Sequence, residues 1–403
     1  MHLVTFRNAL SLSFQKSAGQ VTITCEPGKP YAFADSHMDQ VMRDEKVASA
    51  AVKISNLGSR IPNFHIGARR VGTQRLLFYN GSGGYGDQIM SWPVCQILHA
   101  AGFEVHVLVD PGNQSCWWGF PWVKSVHVLP FAYDTMVMFD YFVFFDHVAN
   151  LDEHPGQEHP VDIMLRKIGI DPVSVDRVAK RVRPVFTPAD LTAAERLKGQ
   201  DYAIYQLASA NPTRSLPPKD SVFLLDKLSS EFRGLKWIVA ADAYVAPGYT
   251  EALAPLLQRD NVEAWNDDNL RALWAVTENA KVVVGPDSMM VHVAGSLSVP
   301  CVGLWGLTSP DSRARYYDNH YPIWHQTACP MAPCFTYGIN FPVYCPPRPA
   351  RDLCEVMAAI SPQHVIDHVR NIVYKNEAND KADRETHVGS SRSVRADGAD
   401  GTD

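Results

Sequence analysis

The chain has 403 residues, more than one hydrophobic core usually organises, so two main domains with extensions are expected. Its 46% apolar and 20% charged residues are ordinary for a folded globular protein and exclude a disordered chain. The formal charge of -6, with one short basic cluster from Arg177 to Arg183 (RVAKRVR), gives little pull toward nucleic acid or anionic lipid, so the cluster reads as a solvated helix face and no nucleic-acid partner is expected.

Residues 1–60 read as an appendage, with short strands over 3–6 and 21–24 and a helical pattern from Met38 to Ile54. The first residues lack a charged leader, an apolar h-region and a cleavage site, and no apolar run approaches the roughly 20 residues that cross a bilayer. A cytoplasmic protein without a membrane span is expected. From residue 75 the pattern alternates: strand 76–79, helix 88–101, then strands at 105–109, 126–129 and 141–145. Apolar strands separated by helices imply a parallel sheet covered on both faces, here a first Rossmann-like domain over 70–185.

The Pro-containing stretch 183–188 interrupts this rhythm, which restarts as a second Rossmann-like domain over 200–375. Its strands are expected at 202–207, 237–240, 282–284 and 301–304, and its helices at 221–232, 270–278 and 289–297. Residues 376–403 contain no Leu, Ile, Phe, Met, Trp or Tyr and read as a disordered tail. Two doubly wound domains facing each other place the carboxyl ends of both sheets at a shared cleft, where ligands bind in such sheets.

Two stretches carry chemistry. Gly81-Ser82-Gly83-Gly84-Tyr85-Gly86 is a literal G-x-G-x-x-G between a strand and a helix, and Asp110 ends the next strand at the distance of a ribose-binding acid. Taken literally, this is an NAD-dependent oxidoreductase. Against that, Asp87 stands where the helix would meet a pyrophosphate, and a carboxylate there repels the anion. Asp87 reads either as a helix N-cap serving the amides of Ile89 or Met90, or as a general base directed into the cleft. The glycines Gly83, Gly84 and Gly86 read as a loop that needs close backbone approach. In the second stretch a buried strand runs through Gly285-Pro286 into Asp287-Ser288 at a helix start, leaving the amides of Ser288, Met289 and Met290 for an anion, with His292 one turn further along the same face.

Together these stretches resemble the heptosyltransferase family of GT-B glycosyltransferases. The match lies in Gly86-Asp87 with Pro93, in Gly285-Pro286-Asp287-Ser288 with His292 and Ala294, and more weakly in the loop from Ser209 to Pro217, where Arg214 stands at the family's usual lysine. It covers residues 75–373. What the resemblance implies is an α/β GT-B fold and an inverting, metal-independent transfer of a sugar from a nucleotide-diphosphate-sugar donor to a glycan or other hydroxyl acceptor, with no cofactor required. Asp87 is then the catalytic base, and Arg214, Asp287, Ser288, Met289 and His292 line the donor diphosphate. Met289 replaces a common glycine, so the donor sugar and base stay open. An inactive sugar-nucleotide or glycan-binding module on the same fold is the alternative from another class.

Of the eight cysteines, Cys25, Cys95, Cys116 and Cys301 are scattered and do not form a secreted disulfide framework. Cys329, Cys334, Cys345 and Cys354 cluster in a Pro-rich loop over 329–354 with C-x4-C-x10-C-x8-C spacing. They read as a structural zinc site that supports the loop or as packed or exposed thiols, since no C-x2-C knuckle is present.

Overall fold

The computed structural model describes residues 2–6, 10–16, 19–27, 29–33, 51–56, 64–66, 74–81, 84–145, 148, 152, 156–240, 247–267, 269–334 and 354–374. Gly83, Cys345 and the tail expected beyond residue 375 lie outside them.

The N-terminal segment contains β1 (His2–Phe6), β2 (Leu10–Lys16), β3 (Gly19–Cys25), β4 (Pro30–Phe33), β5 (Ala51–Asn56) and β6 (Phe64–Ile66). β1 pairs antiparallel with β4 and β5, and β2 with β3 forms a separate hairpin. The helical pattern read over Met38 to Ile54 is corrected at its end, where Ala51-Val52-Lys53-Ile54-Ser55-Asn56 alternates with period two and pairs with β1 as a strand. Residues 38–50 lie outside the described residues.

The first α/β unit consists of β7 (Gln74–Asn80), α1 (Tyr85–Ala100), β8 (Phe103–Val109), β9 (Val123–Val128), β10 (Phe131–Ala132) and β11 (Tyr141–Phe145). Its sheet runs β6-β11-β7-β8-β9, parallel except for β6 at one edge. α1 packs on one face with Trp92, Val94, Cys95 and Leu98 buried. The other face buries Leu77, Tyr79, Leu108 and Phe142 against Leu129, Phe131, Met136 and Phe139. β10 also pairs with β4, so the appendage is joined to this unit by a shared sheet.

The chain then passes through α2 (Pro160–Lys167) and α3 (Pro188–Glu195) into the second unit. That unit holds β12 (Tyr202–Gln206), α4 (Pro218–Glu231), β13 (Lys236–Ala240), β14 (Val262–Ala264), α5 (Leu270–Thr277), β15 (Val283–Pro286), α6 (Met289–Leu297), β16 (Cys301–Trp305), α7 (Pro310–Ala314) and β17 (His320–Trp324). The sheet is all parallel in the order β14-β13-β12-β15-β16-β17. Numbered within the domain this is 3-2-1-4-5-6, whose switch point lies between β12 and β15. In the first sheet the corresponding reversal lies between β7 and β11.

One apolar cluster runs through both units. Trp92 of α1 meets Trp274 of α5 edge-on at 5.9 Å and Phe120 at 4.9 Å. Buried Arg271 on α5 donates to Asp190 of α3, to the carbonyl of Ser115 in the first unit and to the carbonyl of Val185 between them.

The basic cluster Arg177–Arg183 is only in part the solvated face expected: Arg177 and Arg183 are more than half exposed, but the residues between them are not all so. Lys180 is buried, its Nζ 2.7 Å from Asp162 of α2 and 3.1 Å from the Tyr316 hydroxyl, which also donates to Asp162. Arg177 and Arg181 pair with Asp318, and Arg183 with Glu278. The cluster is a strap between the two units, its charges used up by acids that the sequence pattern keeps far away. Asp162→Ala leaves the Lys180 ammonium buried without its carboxylate, which should cost about 3–5 kcal/mol. A fall in melting temperature by several degrees is the expected outcome; an unchanged melting curve would show that water screens the pair.

Candidate functional site

Loops from both switch points converge. After β7, the Gly81 amide donates to the Phe145 carbonyl of β11 at 2.7 Å, closing the strand pair from which the glycine-rich loop departs. α1 begins at Tyr85 with Gly84 as a cap residue that offers no side chain, so the expectation that Asp87 caps the helix is corrected: Asp87 lies in the first turn. An acid there suits the positive end of the helix dipole. Its carboxylate folds back over Gly84, where a β-carbon would lie 2.9 Å from Oδ2. Asn80 donates to the Asp87 carbonyl, Gln88 donates to the Asn80 carbonyl, and Trp117 donates to Gln88, at 3.1, 3.1 and 3.0 Å. This buried chain of amides holds the half-buried Asp87 in place.

The glycine motif does a different job from a dinucleotide fingerprint. Gly86 sits inside α1, and a β-carbon on it would come within 2.6 Å of His292 Cδ2 on α6. The missing side chain therefore lets the two domains approach, rather than a helix approach its own strand. Asp110, the candidate ribose acid, is buried and accepts from the Tyr79 hydroxyl at 3.2 Å, so it is not presented to a ribose.

On the opposite side, Asp287 follows directly on β15 and is 3% exposed. Its Oδ2 accepts from Thr308 at 2.6 Å, and its backbone carbonyl accepts from Arg214 Nη1 at 3.0 Å. Burial alone would raise its pKa, but Arg214, Arg313 and the Thr308 hydrogen bond outweigh it and hold the carboxyl below its ordinary value. Arg214 closes a short turn after Asn211, with its side chain 24% exposed. His292 is also 3% exposed, with Nδ1 3.0 Å from the Tyr317 hydroxyl and Nε2 3.9 Å from Asp287 Oδ1. Burial pushes its pKa down to about 4 against the attraction of Asp287 and Asp87, so the imidazole is neutral near pH 7.

Ser288 is the α6 cap residue and is partly exposed, as is Met289. The Met290 amide is not left for an anion as expected, because Gln206 Oε1 accepts from it at 3.2 Å. Met289 Sδ accepts from the Trp274 indole at 3.4 Å, which holds that side chain toward α5. The structure thus brings Gly86, Asp87 and His292 together, and Arg214, Asp287 and Ser288 beside them. Gly84 borders Asp87. Gln206, Thr308, Tyr317 and Arg313 complete the site without having been expected. A polar residue ending the fully buried strand YAIYQ was the available signal for Gln206; Tyr317 and Arg313 become neighbours only in three dimensions.

Cys329 and Cys354 are buried and Cys334 partly exposed, all within the second domain's apolar cluster. Among the described residues no three or more His, Cys, Asp or Glu are arranged to hold a metal ion, and Cys345, the fourth cysteine of the expected zinc site, lies outside them.

Residues 246–344, which include Asp287, Ser288, Met289 and His292, match the model of glycosyltransferase family 9 (heptosyltransferase). Among curated proteins, no sequence matches the chain. Among solved structures it resembles the glycosyl transferase family 9 protein of Veillonella parvula, at 14% identity over 76% of this chain and 99% of that one, with a TM-score of 0.55. It also resembles the iron-containing dodecameric glycosyltransferase TibC of enterotoxigenic E. coli, at 12% identity over 93% of each chain and a TM-score of 0.54. A second structure of that heptosyltransferase, in complex with ADP-D-beta-D-heptose, gives 12% identity, 93% and 92% coverage and a TM-score of 0.54. At these identities the likeness is one of fold. The coverage of TibC is too large to leave out the first 60 residues altogether, so it extends beyond the motifs. The resemblance to heptosyltransferases and the GT-B architecture are borne out, and the family match supports an enzyme of the glycosyltransferase class.

Gly86→Ala should overpack the contact with His292 and cost about 1–3 kcal/mol. In thermal melts, Gly86→Ala with His292→Ala should regain most of what the first change loses relative to His292→Ala alone. Equal losses in both backgrounds would show that the contact does not set the domain approach.

Proposed function

We propose that the protein transfers a sugar, with inversion, from a nucleotide-diphosphate donor to a hydroxyl acceptor. The observation that carries this reading is the placement of a half-buried acid, Asp87, across the domain junction from a cationic helix start at Arg214, Ser288 and Met289. The donor diphosphate lies along α6, and the acceptor approaches from the first domain. Asp87 takes the proton of the acceptor hydroxyl as its oxygen attacks the anomeric carbon; the bond to the diphosphate breaks on the opposite face, which inverts the centre. Negative charge grows on the departing phosphate, and fixed donors aimed there act most strongly in the transition state.

Arg214, the Ser288 hydroxyl and the free end of α6 supply those donors. Asp287 is assigned a positioning role: a buried carboxylate cannot face a diphosphate favourably, but it orients Arg214, Thr308 and His292. His292, neutral and covered by Gly86, holds the α6 start against α1. The reaction needs no metal in this scheme. TibC in complex with ADP-D-beta-D-heptose makes ADP the first nucleotide to try for this chain. The acceptor is a glycan or another hydroxyl compound. No helix among the described residues is long and apolar enough to cross a membrane. A cytoplasmic reaction is proposed from the sequence reading alone.

Asp87→Asn should reduce transfer by about a hundredfold or more, the scale of general base catalysis, while ADP, UDP, GDP or CDP titrated calorimetrically binds as in the wild type. Arg214→Ala should instead weaken the diphosphate. Wild-type turnover by Asp87→Asn would remove the base assignment, and a chain that binds donor without consuming it would favour the binding-module reading.

Because Cys329, Cys334 and Cys354 are not arranged to hold a metal ion, the cysteine segment is proposed as thiols packed apart from the reacting atoms, with a structural metal site as the alternative to be tested. Because TibC is described as iron-containing, iron and zinc are both to be measured. About one equivalent of metal per chain is expected from a four-cysteine site; less than about a tenth would leave packed thiols.

A further inference from the structure

We infer that Gln206 sets the hydrogen-bond polarity of the α6 start, turning Ser288 into a donor toward the cleft and thereby selecting ligands whose contacting atoms only accept, as phosphate oxygens do. The inference rests on the donor-diphosphate reading above and adds a positioning residue to it.

Gln206 is the last residue of β12, at the switch point beside β15, and is 6% exposed. Its amide has one accepting and one donating end. The Met290 backbone N–H can only donate, so the amide atom 3.2 Å away is the oxygen. That leaves Nε2 facing Ser288 Oγ at 2.9 Å, and an amide nitrogen can only donate. Ser288 Oγ therefore accepts, and its single hydrogen is left to donate elsewhere. It has no acceptor among the described residues, and Ser288 is partly exposed where Gln206 is not. The hydrogen is thus available to a ligand in the cleft.

Gly285 makes this arrangement sterically possible. A β-carbon there would lie 2.8 Å from Gln206 Cβ, so the glycine of Gly285-Pro286-Asp287-Ser288 is what lets β15 lie against this side chain. The Ser288 and Met289 amides add two more donors without acceptors among the described residues, and Arg214 adds its cation. A surface of donors alone favours a phosphate over a ligand that presents its own N–H or O–H, because two facing donors leave both unpaired. Selection comes from the polarity that Gln206 imposes, not from charge alone.

The test is calorimetric titration of the full chain with ADP, with adenosine as the phosphate-free control, and with UDP and uridine in parallel. In Gln206→Glu the carboxylate accepts from both Met290 and Ser288, which turns the serine lone pairs toward the cleft. Diphosphate affinity should fall about thirtyfold or more, with nucleoside affinity unchanged. Gln206→Leu should lose about three- to tenfold, and in a Ser288→Ala chain the same change should cost less than about twofold more, since the hydroxyl it orients is gone.

Loss of nucleoside and diphosphate binding together in Gln206→Leu, or full additivity with Ser288→Ala, would show a merely structural role and overturn the inference. So would diphosphate binding within twofold of the wild type in both Gln206 variants. A wild-type chain that binds none of ADP, UDP, GDP and CDP would overturn the donor-diphosphate reading, and this inference with it; if only GDP or CDP binds, that nucleotide and its nucleoside replace ADP and adenosine in the test.

Discussion

Gly86 and His292 meet where the loops leaving the two sheets come together, and no β-carbon fits between them. That approach brings the first turn of α1, with Asp87, against the start of α6, with Asp287 and Ser288. It is held from three sides. Trp92 and Trp274 join the apolar cores, Arg271 binds three separate segments with one guanidinium, and Lys180 with Asp162 and Tyr316 ties the strap to both domains. A site made of two halves on separate sheets needs such fixings, because a shift of about 1 Å between reacting groups is enough to cost much of the rate.

The same closeness explains the electrostatics. Asp287 and His292 are both removed from water, and each is stable there for its own reason. The carboxylate is compensated by Thr308, Arg214 and Arg313, whereas the imidazole avoids the cost of a buried charge by remaining neutral. A charged His292 would add a cation beneath Asp87; a neutral one leaves the partly exposed Arg214 to supply positive charge in the cleft. The division between buried organisers and partly exposed contacts follows from these environments.

Much of the fold was legible because its strands are apolar and separated by helices of ordinary length. YAIYQ and CVGLW are buried along their full length, and KWIVA at every position after Lys236, so all three read directly as central strands. β17, HYPIW, was missed because it is a sheet edge with Pro322 inside it, which an edge tolerates and a pattern search rejects. β14 is only three residues long and was missed for want of a pattern. The motif loops were legible as a pair, but their use was not. Gly86 looked like a phosphate-loop glycine and serves a contact with a residue about two hundred positions away. Gln206 carries no local signal beyond being polar at a strand end, since its partners come from another strand and helix.

Where the diphosphate sits decides between the two uses of these loops. A crystal structure of the chain with the nucleoside diphosphate that it binds should place phosphate oxygens within hydrogen-bond distance of Ser288 Oγ and the Arg214 guanidinium, with the Asp87 carboxylate across the cleft. A diphosphate found instead on the loop from Gly81 to Gly84, with its ribose toward Asp110, would contradict the account and restore the dinucleotide reading of the glycine motif.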